Sequence, residues 1–253
     1  MTNQTESTRQ SLQRGNRGRT KLAVALDVPG QEQALELARR LAGHVGLFKV
    51  GLELFAAAGP TLIKKLVDMD YEIFLDLKLH DIPATVRRAA QRVGDLHVSY
   101  LTVHTGDGPT IVQACVEGAS HHPELKVLGV TVLTSLDQKE LSRVGIERPI
   151  EELVRLRAES AIRAGCHGLV CSPKEVQMLR TQHPDTTLVV PGIRPAWGEA
   201  KRDDQARVAT PAQATAWGAN VLVVGRPIRD SDDPAGAADR ITEEISSVFN
   251  EIR

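Results

Sequence analysis

Short apolar stretches rich in β-branched residues recur along the chain, at 22–28, 46–50, 73–77, 100–104, 127–133, 168–171, 187–190 and 221–224. Runs of that length predict strands. Between them apolar positions return every three or four residues, which predicts helices over 31–42, 52–67, 83–93, 110–118, 151–164, 173–182 and 211–217. A last amphipathic helix is predicted over 235–249. About eight strand–helix units in about 230 residues match the size and rhythm of a single-domain (β/α)8 TIM barrel. A doubly wound open sheet would alternate in the same way, so rhythm alone does not decide. The polar residues favour the barrel. Asp27, Lys49, Asp76, Lys78, His104, Thr134 and Arg226 all fall at or just past the carboxyl ends of predicted strands. A barrel gathers those ends at one mouth, whereas an open sheet strings them along an edge.

One run carries most of the chemistry: Phe74-Leu75-Asp76-Leu77-Lys78-Leu79-His80-Asp81-Ile82-Pro83-Ala84-Thr85. It sets two acids and a base into an apolar strand and the helix start behind it. Burying such charges is costly unless they pair. Asp76 and Lys78, two apart, share one strand face. Asp81, just ahead of Pro83, has the makings of a helix N-cap, and Asp76 with Lys78 could form a plain structural ion pair. A cap explains neither charge inside the strand, and the combination points to catalysis. Lys49, Asp76, Lys78 and Asp81 also alternate in sign, so each has an opposite neighbour to offset its burial.

A second region suggests an anion site. The predicted strand over 221–224 runs into Gly225, Arg226 and a helix start. Glycine lets a backbone approach an anion, a helix start presents unpaired N–H groups, and arginine offers a two-pronged donor suited to phosphate. The Pro191-Gly192-Ile193-Arg194 turn lies at the adjacent strand end. After it the chain is polar and aperiodic to about residue 210, a length expected of a binding loop or lid. Together with the mouth charges this points to a phosphorylated small molecule.

Composition narrows the partners. The 253 residues are long enough for one large core or two small ones, and a formal net charge of −1 makes no electrostatic case for nucleic acid or an anionic membrane. No apolar run approaches the roughly 20 residues of a spanning helix, so the chain reads as soluble. Aromatic residues are only 3%, which calls for an aliphatic core. Three cysteines (Cys115, Cys166, Cys171) without a Cys-x-x-Cys pair argue against a disulfide framework or zinc site, and a reducing cytoplasm is the expected setting. The 8 histidines lack metal-ligand spacing, and His121-His122 are expected in a solvated turn. Residues 1–20 carry Arg9, Arg14, Arg17 and Arg19 but no apolar core of a signal peptide, and read as a disordered tail ahead of a barrel over 21–253.

From Leu22 to the last helix the chain resembles the orotidine 5'-phosphate decarboxylase family. The likeness rests on ordered motifs: Ala25-Leu26-Asp27, Phe48-Lys49-Val50-Gly51, Asp76-x-Lys78-x-x-Asp81-Ile82-Pro83-x-Thr85, Val130-Thr131-Val132-Leu133-Thr134-Ser135, Pro191-Gly192-Ile193-Arg194, Asp204-Gln205-x-Arg207-Val208-Ala209-Thr210-Pro211, and Val224-Gly225-Arg226. The resemblance implies a cofactor-free, metal-free lyase converting orotidine 5'-monophosphate to UMP and carbon dioxide. It implies a homodimer with shared sites, Lys49, Asp76 and Lys78 from one subunit and Asp81 and Thr85 from the other. Asp27 and Lys49 would hold ribose hydroxyls, and Thr134 the pyrimidine. Gln205 would bridge a closing loop to ring and phosphate, with Arg226, Gly225 and Arg194 on the phosphate. Extra residues around Lys201-Arg202 set the loop apart. The rivals are a metal-dependent sugar-phosphate aldolase or decarboxylase, which can use a similar Asp-x-Lys-x-x-Asp run, and a non-catalytic nucleotide-binding barrel.

Overall fold

The computed structural model describes residues 18–197 and 207–251. Eight strands, β1 (Leu22–Ala25), β2 (Leu47–Gly51), β3 (Ile73–Leu79), β4 (Tyr100–His104), β5 (Lys126–Val130), β6 (Gly168–Val170), β7 (Thr187–Val190) and β8 (Val221–Val224), pair in chain order. Every neighbouring pair is parallel, and β8 returns to β1 with Leu222 opposite Leu22 and Val224 opposite Val24. The sheet is a closed barrel, not an open one.

The connecting helices are α1 (Gln31–Arg40), α2 (Leu52–Asp68), α3 (Pro83–Gly94), α4 (Pro109–Ala119), α5 (Gln138–Arg143), α6 (Ile150–Arg163), α7 (Val176–Gln182), α8 (Pro211–Ala216), α9 (Arg226–Arg229) and α10 (Pro234–Glu251). Prolines open α3, α4 and α8, where a missing N–H is harmless. Helix α2 is broken at Gly59, whose φ of 61° suits glycine, just before Pro60. Helix α5 was not anticipated. It is too short to show a period, but Asp137 and Glu140 form a reciprocal capping box at its start. Of the expected tail, residues 1–17 lie outside the described residues. Residues 18–20 form a helical turn so close to α10 that a Cβ on Gly18 would collide with Ser246 Oγ.

Strand alternation sorts the core into two bodies. Outward positions such as Leu22, Val24, Val50, Leu75 and Leu101 pack under the helices in one aliphatic cluster. Each such side chain, fully buried, contributes about 1.5–3 kcal/mol. Inward positions, among them Ala23, Leu47, Phe74, Leu128, Val189 and Val221, form a smaller cluster inside the barrel. The same two-residue period carries the inward face up to the mouth. Residue 25 leads to Asp27, 47 to Lys49, 74 to Asp76 and 223 to Gly225, so the site's polar groups are continuations of core-facing columns. Among the described residues, no helix is long and apolar enough to cross a membrane.

Candidate active site

Four charges meet at the mouth in one chain. Lys49 Nζ lies 3.0 Å from Asp27 Oδ1 and 4.0 Å from Asp76 Oδ2, and Lys78 Nζ lies 2.8 Å from the same Asp76 oxygen. Asp76 is thus flanked by two ammonium groups, and Lys49 by two carboxylates. The Lys49 side chain is 11% exposed and that of Asp76 12%, against 29% for Lys78 and 44% for Asp27. Lys78 and Asp27 therefore face the open space while their partners sit deeper.

Local backbone explains how two charges from one strand reach one point. Leu75 pairs with Leu101, but the next register partners are Leu79 and Val103. Residues 76–78 of β3 therefore stand opposite the single residue Thr102 of β4, a bulge that re-aims side chains. Within it Lys78 adopts φ 48°, a left-handed conformation that a lysine does not choose by itself. The Lys78 N–H donates to Thr102 Oγ1 at 2.8 Å, and the Thr102 hydroxyl donates to Asp76 Oδ1 at 2.9 Å. Thr102 was missed in the sequence because a threonine inside a strand is ordinary. The available signal was its inward parity with Tyr100.

Asp81 and Thr85 do not join this cluster. Asp81 is exposed, Thr85 is half-buried, and neither lines the cavity. Nor is Asp81 the N-cap of α3. That position is Ile82, and the Asp81 carboxylate accepts the Ile82 N–H, at 2.6 Å, one residue too early to cap the first turn. Ile82 itself is 66% exposed.

The cavity at the mouth encloses about 580 Å³, within the range of small-molecule sites. Asp27, Lys49, Asp76 and Lys78 line one side; Thr134 and Ser135 follow from the β5 end, and Gly192, Arg194, Gly225 and Arg226 from the ends of β7 and β8. Thr134 is buried. At Gly192 φ is 75°, a turn glycine can make. Arg194 is fixed by its backbone N–H to Ala209 O at 2.9 Å, and its Nη1 reaches Ile193 O at 2.8 Å. A Cβ at Gly225 would meet protein only at 3.6 Å or beyond, so packing does not demand the glycine. The helix behind it is less of an anion site than expected. It is one turn long, Pro227 has no N–H, and the Ile228 and Arg229 N–H groups already bond to Gly225 O. The cationic character of this end comes from side chains. Gln205 and the extra residues around Lys201 lie outside the described residues.

Two further groups escaped the sequence. Arg229 lines the cavity and ties its ends together: Nη1 donates to Asp27 O at 2.7 Å while Asp230 grips the guanidinium at 2.6 and 3.0 Å. Hydrogen bonding to Asp230 raises its pKa further. Beneath Thr134, Glu175 and Arg207 form a buried ion pair, with Arg207 Nη2 donating to Leu133 O at 3.1 Å. His104 ends β4 as expected but does not line the cavity; it faces His80 with ring centres 5.3 Å apart, and His80 bonds Asp107. Burial, then the charges of His80, Arg157 and Lys78, hold His104 below the usual histidine range. His122 is not fully solvated, for its Nε2 lies 3.4 Å from Asp95 Oδ1 and its side chain is 23% exposed.

Known proteins resemble this chain along most of its length. Residues 20–241 match the family model described as Orotidine 5'-phosphate decarboxylase / HUMPS family. The chain is 48% identical over 226 residues to an orotidine 5'-phosphate decarboxylase of Thermobifida fusca, covering 88% of this chain and 95% of that one. It is 51% identical over 219 residues to one from Anaeromyxobacter sp. strain K, covering 86% and 95%. A crystal structure of orotidine 5'-phosphate decarboxylase from Lactobacillus acidophilus superposes with a TM-score of 0.79 at 37% identity, covering 88% of this chain and 98% of that one.

Proposed function

The chain belongs to the orotidine 5'-phosphate decarboxylase / HUMPS family, and from that premise we propose that the charges at this barrel mouth carry out the family's decarboxylation. The reaction converts orotidine 5'-monophosphate to UMP and carbon dioxide, a carboxy-lyase step of pyrimidine nucleotide synthesis. In this reading Arg226 and Gly225, with Arg194, take the phosphate. Asp27 and Lys49 take ribose hydroxyls, Thr134 contacts the pyrimidine, and ring carbon six meets Lys78.

Breaking the bond from carbon six to the carboxylate leaves an electron pair that no adjacent carbonyl can delocalise. The Lys78 ammonium stabilises that charge and gives it a proton, so the pair becomes a C–H bond and the amine is reprotonated from solvent. Asp76 beside the departing carboxylate adds ground-state stress. At about 4 Å and an effective dielectric near 20 that repulsion is roughly 4 kcal/mol, well short of the roughly 8–23 kcal/mol that enzymes remove from barriers. Most of the effect therefore rests on Lys78 and on binding energy from the distant phosphate.

The observation that carries this reading is the Lys78 ammonium, 2.8 Å from Asp76, in the same cavity as Gly225 and Arg226. The test is the decay of orotidylate ultraviolet absorbance in the presence of a chelator. The parent chain should turn over, and Lys78→Ala should lose turnover while still binding UMP. Substantial turnover by Lys78→Ala would sink the assignment, and loss of parental activity on chelation would favour the metal-dependent rival.

Asp81 and Thr85 acquire a role only in a homodimer. Their position outside their own cavity, beside the exposed Ile82, supports a shared interface through which they reach the partner's substrate. A reducing cytoplasm suits the three cysteines. All are buried and unpaired, and burial pushes the thiols of Cys115 and Cys166 up to about 12.

A further inference from the structure

We infer that Thr102 is a positioning residue for the decarboxylation, its one hydroxyl setting both the Asp76 carboxylate and the backbone from which Lys78 projects. The inference rests on the reading of Lys78 given above. Thr102 is fully buried in β4 and does not line the cavity. Its oxygen accepts the Lys78 N–H at 2.8 Å and donates to Asp76 Oδ1 at 2.9 Å, which uses the hydroxyl in both directions. The consequences for the two charges differ. With Oδ1 held by Thr102, Asp76 turns Oδ2 toward Lys78 at 2.8 Å and Lys49 at 4.0 Å. For Lys78 the bond secures a peptide that stands outside the regular ladder, where three residues of β3 oppose one of β4, and whose φ is 48°. A left-handed lysine persists only where its surroundings over-determine it. A regular strand would need no such clamp.

The experiment compares Thr102→Val, which removes the hydroxyl at nearly constant shape, with Thr102→Ser, which keeps it. Supporting groups behind reacting side chains are worth about 10–100-fold. Thr102→Val should lose that much kcat, with KM for orotidine 5'-monophosphate and affinity for UMP changed no more than about threefold. Thr102→Ser should regain kcat to within about threefold of the parent. Parental kcat in Thr102→Val would overturn the inference. So would an equal loss in Thr102→Ser, or a parallel loss of UMP affinity. A Thr102→Val chain that fails to fold beside a fully active Thr102→Ser also counts against it, since the hydroxyl then serves the fold and not the site. Lys78→Ala run alongside separates the two readings. If it stays active, the underlying assignment has failed; if it is dead while Thr102→Val is unimpaired, only the present inference falls.

Discussion

Replacing Glu175 by glutamine removes one charge from a pair that the fold has closed off from water. The two side chains are 6% and 8% exposed for Glu175 and Arg207. Arg207 Nη1 bonds Glu175 Oε1, and Glu175 Oε2 accepts the Ser172 N–H at 2.6 Å. Glutamine keeps the shape and an acceptor but leaves a buried guanidinium without a counter-charge. At about 3 Å and an effective dielectric near 20 the attraction is roughly 5–6 kcal/mol, which bounds the loss from above. Removing one partner of a buried pair costs about 3–5 kcal/mol. At about 2–4 °C per kcal/mol for a chain of this size, Tm should fall by roughly 6–20 °C. Urea denaturation followed by far-ultraviolet circular dichroism should show a lower midpoint with the slope unchanged. The apolar double replacement Glu175→Leu with Arg207→Met should regain part of the loss, because it removes the desolvation cost of both ions but also takes these partners from the Ser172 N–H and Leu133 O. A Glu175→Gln loss under about 1 kcal/mol would refute the reasoning, because it would mean that water reaches the guanidinium. Leu133, which Arg207 holds, precedes Thr134, so the folded variant should also show a raised KM with kcat less affected.

Three other outcomes are expected. Subunits bearing Lys78→Ala and subunits bearing Asp81→Ala, each inactive alone, should recover about one quarter of parental activity when unfolded and refolded together. About half the dimers are then mixed, and each mixed dimer has one intact site of two; heterodimers without activity would show that Asp81 does not cross the interface. Arg226→Ala should raise KM by about 10²–10⁴, from two charge-assisted bonds of about 1.5–3 kcal/mol each, and should abolish competitive inhibition by inorganic phosphate; unchanged phosphate inhibition would place that group elsewhere. Acidification should destabilise the fold through two histidines. Burial holds His104 and His167 below the usual range, and His167 Nδ1 must stay unprotonated to accept the Val127 N–H at 3.1 Å. The unfolded chain then binds protons first, so stability is full above the unfolded value of about 6.5 and is lost as pH falls toward the folded values. His167→Gln, which keeps an acceptor, should flatten the decline in urea midpoint between about pH 7 and 5; an unaltered slope would show that His167 does not titrate there.

Much of the barrel was readable along the chain because its signals are local. A two-residue period, a helical period and turn residues between them need no tertiary partner to be seen, and all eight strands fall where those signals place them. Position at the carboxyl ends of the strands likewise marked Asp27, Lys49, Asp76, Lys78, Thr134 and Arg226, and all six line the cavity. Strand ends were less legible. Strand β1 stops at Ala25 and β5 at Val130, short of the expected 28 and 133, while β3 runs on to Leu79. Where a ladder ends depends on the neighbouring strand, which a single segment does not contain.

What the linear order of residues could not contain is the cross-strand and cross-loop geometry. The bulge in β3 brings Asp76 and Lys78 to one hydroxyl of Thr102, a residue on a different strand. The ion pair under Thr134 joins residues 32 apart, and Arg229 reaches back 202 positions to the Asp27 carbonyl. Such contacts are chosen by the closure of the barrel, which sets how far β8 lies from β1 and thereby which polar groups must satisfy one another. Residue types and their period settled which side chains face the mouth; closure settled which of them touch.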